Sequence, residues 1–172
     1  MNKKERNITF GKKKELGKKQ IQSLKKTLGK YYPSDFSKFV LDQQLFQTHI
    51  KIKKLSNARI IITTTNNPLL FELEEKFVPT LHILQKFSIL LATITVDIGA
   101  VKYMINGADL FRPGIIKWDS FKKNDIVTII NEKGTPLSIG ITLMDGTILP
   151  EKGKITQTIH HLQDEIWNFS LI

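Results

Sequence analysis

Residues 96–116 read Val-Asp-Ile-Gly-Ala-Val-Lys-Tyr-Met-Ile-Asn-Gly-Ala-Asp-Leu-Phe-Arg-Pro-Gly-Ile-Ile, and the second half of the chain is organised around them. Asp97 is a good helix N-cap, Ala100, Val101, Met104 and Ile105 form one apolar stripe, and Asn106-Gly107 is a helix stop. The chain then returns through 108–112 to Pro113-Gly114 and a strand from Ile115. Gly107 and Ala108 are small enough for a close backbone approach, either by a partner or by the helix itself. Local physics leaves both open, including a bare helix-to-strand connection.

Outward from this stretch the period is short. Ile94-Thr95-Val96 precedes it as a strand, and apolar runs at 115–118, 126–130, 137–143, 155–162 and 166–169 follow. Lys123-Asn124-Asp125, Lys133-Gly134, Asp145-Gly146 and Gln163-Asp164 separate them as turns. Many short strands with one helix describe a small, strongly bent sheet or barrel.

The first half is different. Residues 1–15 carry many Lys and Arg and little that is apolar beyond Ile8 and Phe10, which predicts a basic arm. Ile21, Leu24, Leu28 and Tyr31 or Tyr32 then share one helical face, with Gly17 as a start and Gly29 as an end. Pro33-Ser34-Asp35 leads into a second helix through Phe36, Phe39 and Val40. From His49 the period becomes two, Ile50 and Ile52 on one side and His49, Lys51 and Lys53 on the other. Strands at 59–65 and 69–73 flank the turn Asn66-Asn67-Pro68, giving a small antiparallel sheet. Residues 77–87 read as a short helix packing Leu81, Ile83 and Leu84 onto that sheet. The reading is α+β: a basic flexible arm at 1–15, a small α/β module of two helices and a sheet at 16–91, and a bent-sheet module at 93–172.

Of the 172 residues, 26 are Lys or Arg and 16 Asp or Glu, a net charge of +10, which favours an acidic polymer or surface as partner. The charge is uneven: residues 1–59 hold sixteen basic and four acidic side chains, +12, and residues 60–172 hold ten and twelve, −2. The bland alternative is a solvated Lys-rich helix. Cysteine is absent, which excludes disulfide frameworks, thiolate metal sites and cysteine nucleophiles. The apolar run at 87–92 is far short of the roughly 18 residues of a membrane span, and the polar N-terminus lacks a signal-peptide apolar region, so a cytoplasmic protein is expected.

Motifs for chemistry are weak. Gly11 to Gly17-Lys18 lacks both the spacing and the Ser or Thr of a phosphate loop. His160 and His161 face opposite sides of a strand, so they do not make a metal pair, and Asp97, Asp125, Asp145 and Asp164 each have a cap or turn to serve. No catalytic residue, metal or cofactor is expected.

The stretch at 96–116 resembles the PUA domain, an RNA-binding pseudobarrel whose signature is Gly-Ala after the first helix, here Gly107-Ala108, and a following Pro-Gly-Ile, here Pro113-Gly114-Ile115. Matches continue in order through Phe121-Lys122-Lys123-Asn124-Asp125-Ile126-Val127, Pro136-Leu137-Ser138-Ile139-Gly140 and His160-His161-Leu162-Gln163-Asp164-Glu165-Ile166-Trp167. Upstream, Phe77-Val78-Pro79-Thr80-Leu81 resembles the end of the companion module in the family of the malignant T-cell amplified sequence protein and its archaeal relatives. Arg112 before Pro113-Gly114 and the compact 115–121 region are closer to the archaeal members.

The resemblance implies a PUA pseudobarrel and a non-enzymatic translation factor that binds small-subunit ribosomal RNA and initiator tRNA in initiation, reinitiation or recycling, with another translation factor as a candidate partner and with no membrane. The alternative it implies is an RNA-binding accessory protein for tRNA or rRNA modification. Carried over, the PUA groove comprises Lys102, Asn106, Gly107, Ala108, Asp109, Leu110, Arg112, Pro113 and Gly114, with His161 and Trp167 on terminal strands beside it. Lys102 and Arg112 would meet phosphate, and the Gly107-Ala108 backbone a ribose or base edge. Because this module is net acidic, affinity is expected from a basic anchor: Lys18, Lys19, Lys25, Lys26, Lys51, Lys53 and Arg59.

Overall fold

The computed structural model describes residues 11–50, 58–87 and 91–171. These residues fall into two compact units, one from those before 79 together with 169–171 and one from those between 79 and 168.

In the first unit, β1 (Lys14–Glu15), β2 (Phe46–Ile50), β3 (Ala58–Ile62), β4 (Pro68–Leu73) and β5 (Lys76–Pro79) make a five-stranded sheet in sequence order. The β1–β2, β2–β3 and β3–β4 pairs are antiparallel. Helices α1 (Lys18–Tyr31) and α2 (Ser34–Leu41) lie between β1 and β2 in sequence. Leu24, Leu28, Phe36 and Val40 are buried, as are Ile50, Ile60, Ile61, Ile62, Leu70 and Phe71 from the sheet. The buried stripe of α1 is narrower than its sequence suggests, with Ile21 38% and Tyr31 52% exposed. Ile21 stands about 60° around the helix from Leu24, at the margin of the buried face.

Gly29 does not end α1. The helix runs two residues further and stops at Tyr32, whose extended backbone (φ −130°, ψ 155°) is the conformation a residue before proline favours. The Tyr32 hydroxyl donates to the Phe77 carbonyl at 2.6 Å, and burial pushes its pKa up. In β2 the strand begins earlier than expected, at Phe46. Thr48 and Ile50 are buried and His49 is exposed. Ile52, Lys51 and Lys53 lie outside the described residues, as do residues 1–10 of the arm.

Residues 77–87 are not one helix. Phe77 and Val78 belong to β5, which ends at Pro79, and only α3 (Leu81–Leu84) is helical. Contrary to the expected packing on the first sheet, α3 packs on strand β10 (Pro136–Thr142) of the second unit. Its Leu81 N–H donates to His160 Nε2 at 3.2 Å.

The second unit holds β6 (Ala92–Val96), α4 (Ile98–Ile105), β7 (Leu110–Phe111), β8 (Ile115–Trp118), β9 (Ile126–Asn131), β10 and β11 (Lys154–His161). The sheet order is β7-β11-β10-β9-β6-β8, antiparallel except for the parallel β6–β9 pair. Register shifts at Ile139/Gly140, Pro136/Ser138, Lys154/Thr156 and Thr95/Val96 curl it. Ile94, Val96, Met104, Leu110, Ile115, Val127, Ile129, Leu137 and Ile155 fill the interior beneath α4.

The expected strand at 166–169 is instead part of a 3-10 segment, Trp167–Leu171. Asp164 decides this. Its Oδ1 accepts from Trp167 N–H at 2.9 Å and its Oδ2 from His161 N–H at 2.9 Å, while Asn168 N–H donates to the Asp164 carbonyl at 3.0 Å. A side chain that takes up local N–H groups competes with a sheet ladder for them.

Candidate nucleic-acid interface

The connection from β6 to β8 is closed by its own hydrogen bonds. Asp97 Oδ1 accepts from Ala100 N–H at 2.8 Å, capping α4, and Asp97 N–H donates to the Gly114 carbonyl at 3.0 Å. A Cβ on Gly114 would stand 2.9 Å from Ala100 Cβ, so glycine lets the 3-10 turn Arg112–Gly114 lie against the helix. Gly107 ends the helix in the left-handed region (φ +78°), and a Cβ there would meet the His161 ring at 2.5 Å. The small residue therefore admits a histidine of this chain. The His161 ring is fixed by Nδ1, 2.9 Å from the Ile105 carbonyl and 2.7 Å from that of Leu162.

The loop after Gly107 is sewn to β11. Thr158 Oγ1 donates to the Ala108 carbonyl at 2.6 Å, Thr158 N–H donates to Asp109 Oδ1 at 3.0 Å, and Lys154 Nζ pairs with Asp109 Oδ2 at 2.9 Å. Beside it lies a groove of about 740 Å³. Ala108, Asp109, Leu110, Pro113 and Gly114 line it, five of the nine groove residues expected from the sequence. Asp97, Gly99, Ala100, Tyr103, Met104 and Phe111 complete the lining.

The other four expected residues lie elsewhere. Lys102 and Asn106 are exposed on α4 and just past it, Asn106 Nδ2 donating to the Lys102 carbonyl at 2.8 Å. Gly107 is buried under His161. Arg112 donates from Nη1 to the Ile115 carbonyl at 3.0 Å, and its guanidinium lies 5.3 Å from the Trp118 ring centroid. Trp118 in turn donates to the Gly146 carbonyl at 2.7 Å. Trp167 stacks on His82, centroids 4.1 Å apart, and is not on a strand.

Sequence reasoning missed Tyr103, 63% exposed, and Phe111, 54% exposed. Their signal was present: Tyr103 is the aromatic left off the apolar stripe of α4, and Phe111 alternates with buried Leu110. The groove is thus mainly apolar and aromatic, with Asp97 and Asp109 at its wall, and among the described residues no Lys or Arg lines it.

On β11, His160 is fully buried, with Nδ1 2.7 Å from Asp164 Oδ2. Since Nε2 accepts from Leu81 N–H, Nδ1 carries the proton. Burial pushes the Asp164 carboxyl up, but the His160 ring and the N–H groups of Trp167 and His161 outweigh it and hold the group below its ordinary value. Among the described residues no group of three or more His, Asp or Glu is placed to hold a metal ion.

Of the basic anchor, Lys18, Lys19, Lys25 and Lys26 are exposed on α1, away from Leu24 and Leu28. Arg59 is engaged within its own unit, donating from Nε and Nη2 to the two Glu72 carboxylate oxygens at 2.6 Å each and from Nη1 to Gln47 Oε1 at 3.2 Å. It also lies over the Phe77 ring at 5.4 Å.

Residues 92–162 match the PUA domain family model. Over 165 residues the chain is 34% identical to an uncharacterized protein of Methanocaldococcus jannaschii, covering 90% of this chain and 94% of that one. It is 31% identical over 162 residues to translation machinery-associated protein 20 of Eremothecium gossypii, covering 88% of each chain. The chain belongs to the family of malignant T-cell-amplified sequence 1, translation machinery-associated protein 20 and their archaeal relatives. Malignant T-cell-amplified sequence 1-A of Xenopus laevis is 33% identical over 121 residues, covering 65% of this chain and 67% of that one. Among solved structures, a hypothetical protein of Pyrococcus horikoshii superposes with a TM-score of 0.74 at 28% identity over 92% of this chain and 99% of that one. A PUA-domain protein of Aeropyrum pernix has the same fold (TM-score 0.74, 24% identity, 95% and 92% covered). The groove beside α4 falls within the residues that match the PUA domain.

Proposed function

We propose that this protein is a non-catalytic RNA-binding translation factor that associates with the small ribosomal subunit and initiator tRNA. The observation that carries this is kinship across both units, over 88% of each chain, with a protein named translation machinery-associated. Two features of the chain support it. The exposed lysines of α1 supply a sequence-independent attraction to phosphate, and the α4 groove, lined by no cation among the described residues, supplies selection by shape and hydrogen bonding. The carboxylates at 97, 109, 119, 125, 145 and 164 each accept a backbone N–H, which gives them structural work and no need of a catalytic one. The protein acts in the cytoplasm.

Sedimentation of the purified protein with ribosomal subunits is the test. The expected result is co-migration with the small subunit, enhanced by initiator tRNA and lost at high salt. Failure to co-migrate, together with stable co-purification with an RNA-modifying enzyme, would overturn it in favour of an accessory role.

A further inference from the structure

We infer that the α4 groove seats one unpaired nucleobase and that Asp97 selects it, favouring adenine, cytosine or guanine, which carry an exocyclic amine, over uracil, which does not. The inference rests on the RNA-binding reading above and names what that groove reads. Tyr103 and Phe111, both more than half exposed, flank a floor that includes Met104 and Leu110. Exposed aromatic rings beside an apolar floor suit a planar base, which stacks on such rings in single-strand recognition.

The polar groups narrow the choice. Asp97 lines the groove with Oδ1 committed to Ala100 N–H, and Oδ2 makes no hydrogen bond among the described residues. A phosphate entering here would face the Asp97 carboxylate, and among the described residues no Lys or Arg lines the groove. An apolar side chain from a partner protein would desolvate the Asp97 carboxylate and return no hydrogen bond. A base with an amino edge satisfies it, as carboxylates do when they accept from cytosine N4. Uracil instead offers one N–H between two carbonyl oxygens that a carboxylate repels.

Asp97→Asn is the sharp variant, because Asn caps helices as well as Asp. Its Oδ1 keeps the Ala100 N–H while an amide donor replaces the carboxylate acceptor. The probes are the four nucleoside 5′-monophosphates and single-stranded hexamers of each, read by NMR shifts of Tyr103, Phe111 and Gly99. The wild type is expected to bind adenylate, cytidylate and guanylate roughly tenfold more tightly than uridylate. Asp97→Asn is expected to move the preference toward uridylate with α4 intact by circular dichroism, and Phe111→Ala to weaken all four alike. Equal binding of the four, an unchanged ranking in Asp97→Asn, or groove shifts with an apolar peptide and none with nucleotides would overturn the inference. Loss of ribosomal association with the nucleotide ranking preserved would count against the proposed function alone.

Discussion

Gly107 and Asp164 show how much rests on single residues. At Gly107 two requirements coincide, a left-handed backbone and room for the His161 ring. Gly107→Ala is therefore expected to cost about 2–3 kcal/mol in chemical denaturation, strain plus ring displacement. Gly134, also left-handed (φ +79°) but with nothing within 4 Å of a Cβ, should cost only about 1 kcal/mol on the same change. Asp164→Ala leaves His160 Nδ1–H and the N–H groups of His161 and Trp167 without their acceptor, an expected loss of about 3–5 kcal/mol. The same carboxylate makes stability pH-dependent. Its folded-state pKa is depressed, so the unfolded chain binds the proton more readily. Its contribution is complete above the unfolded value of about 3.9 and is lost as pH falls through the folded one. Acid titration of the midpoint should fall below about pH 4, more shallowly in Asp164→Asn. Gly107 was legible in sequence as a helix stop. That the space above it belongs to His161, 54 residues later, was not.

Helix α1 continues through Gly29 because nothing stops it until the residue before Pro33. Gly29 is exposed, its Cβ would meet nothing within 4 Å, and its φ is ordinary. Gly29→Ala should thus stabilise the protein by about 0.5–1 kcal/mol, seen as a raised melting temperature with unchanged RNA binding. The contrast with 166–169 is instructive. Alternating apolar residues there fit a strand, but the Asp164 side chain captures the N–H of Trp167 and the segment turns. Periodicity reports which face is apolar; it does not report which side chain competes for the backbone. The β6–α4–β8 connection was legible because Asp97, Gly107 and Pro113 each fix the backbone locally.

Across the whole chain, the proposed function divides attraction from selection along the charge imbalance. Changing Lys18, Lys19, Lys25 and Lys26 together to Gln is expected to reduce the log–log salt slope of RNA binding by about 3–4, leaving nucleotide preference untouched. A change in preference with the slope unaltered would contradict that division. The sequence alone determined the two modules, the strand-rich character of the second, the concentration of charge before residue 60 and the motif at 96–116, because each depends on local periodicity, composition or a few fixed backbone positions. Tertiary structure decided the rest. It turned Arg112 onto Trp118 and Arg59 onto Glu72, laid α3 on β10, and brought Tyr103, Phe111 and Asp97 to one groove, with Asp109 neutralised by Lys154 from 45 residues away. Side-chain direction and long-range pairing are set by packing, which a one-dimensional pattern does not contain.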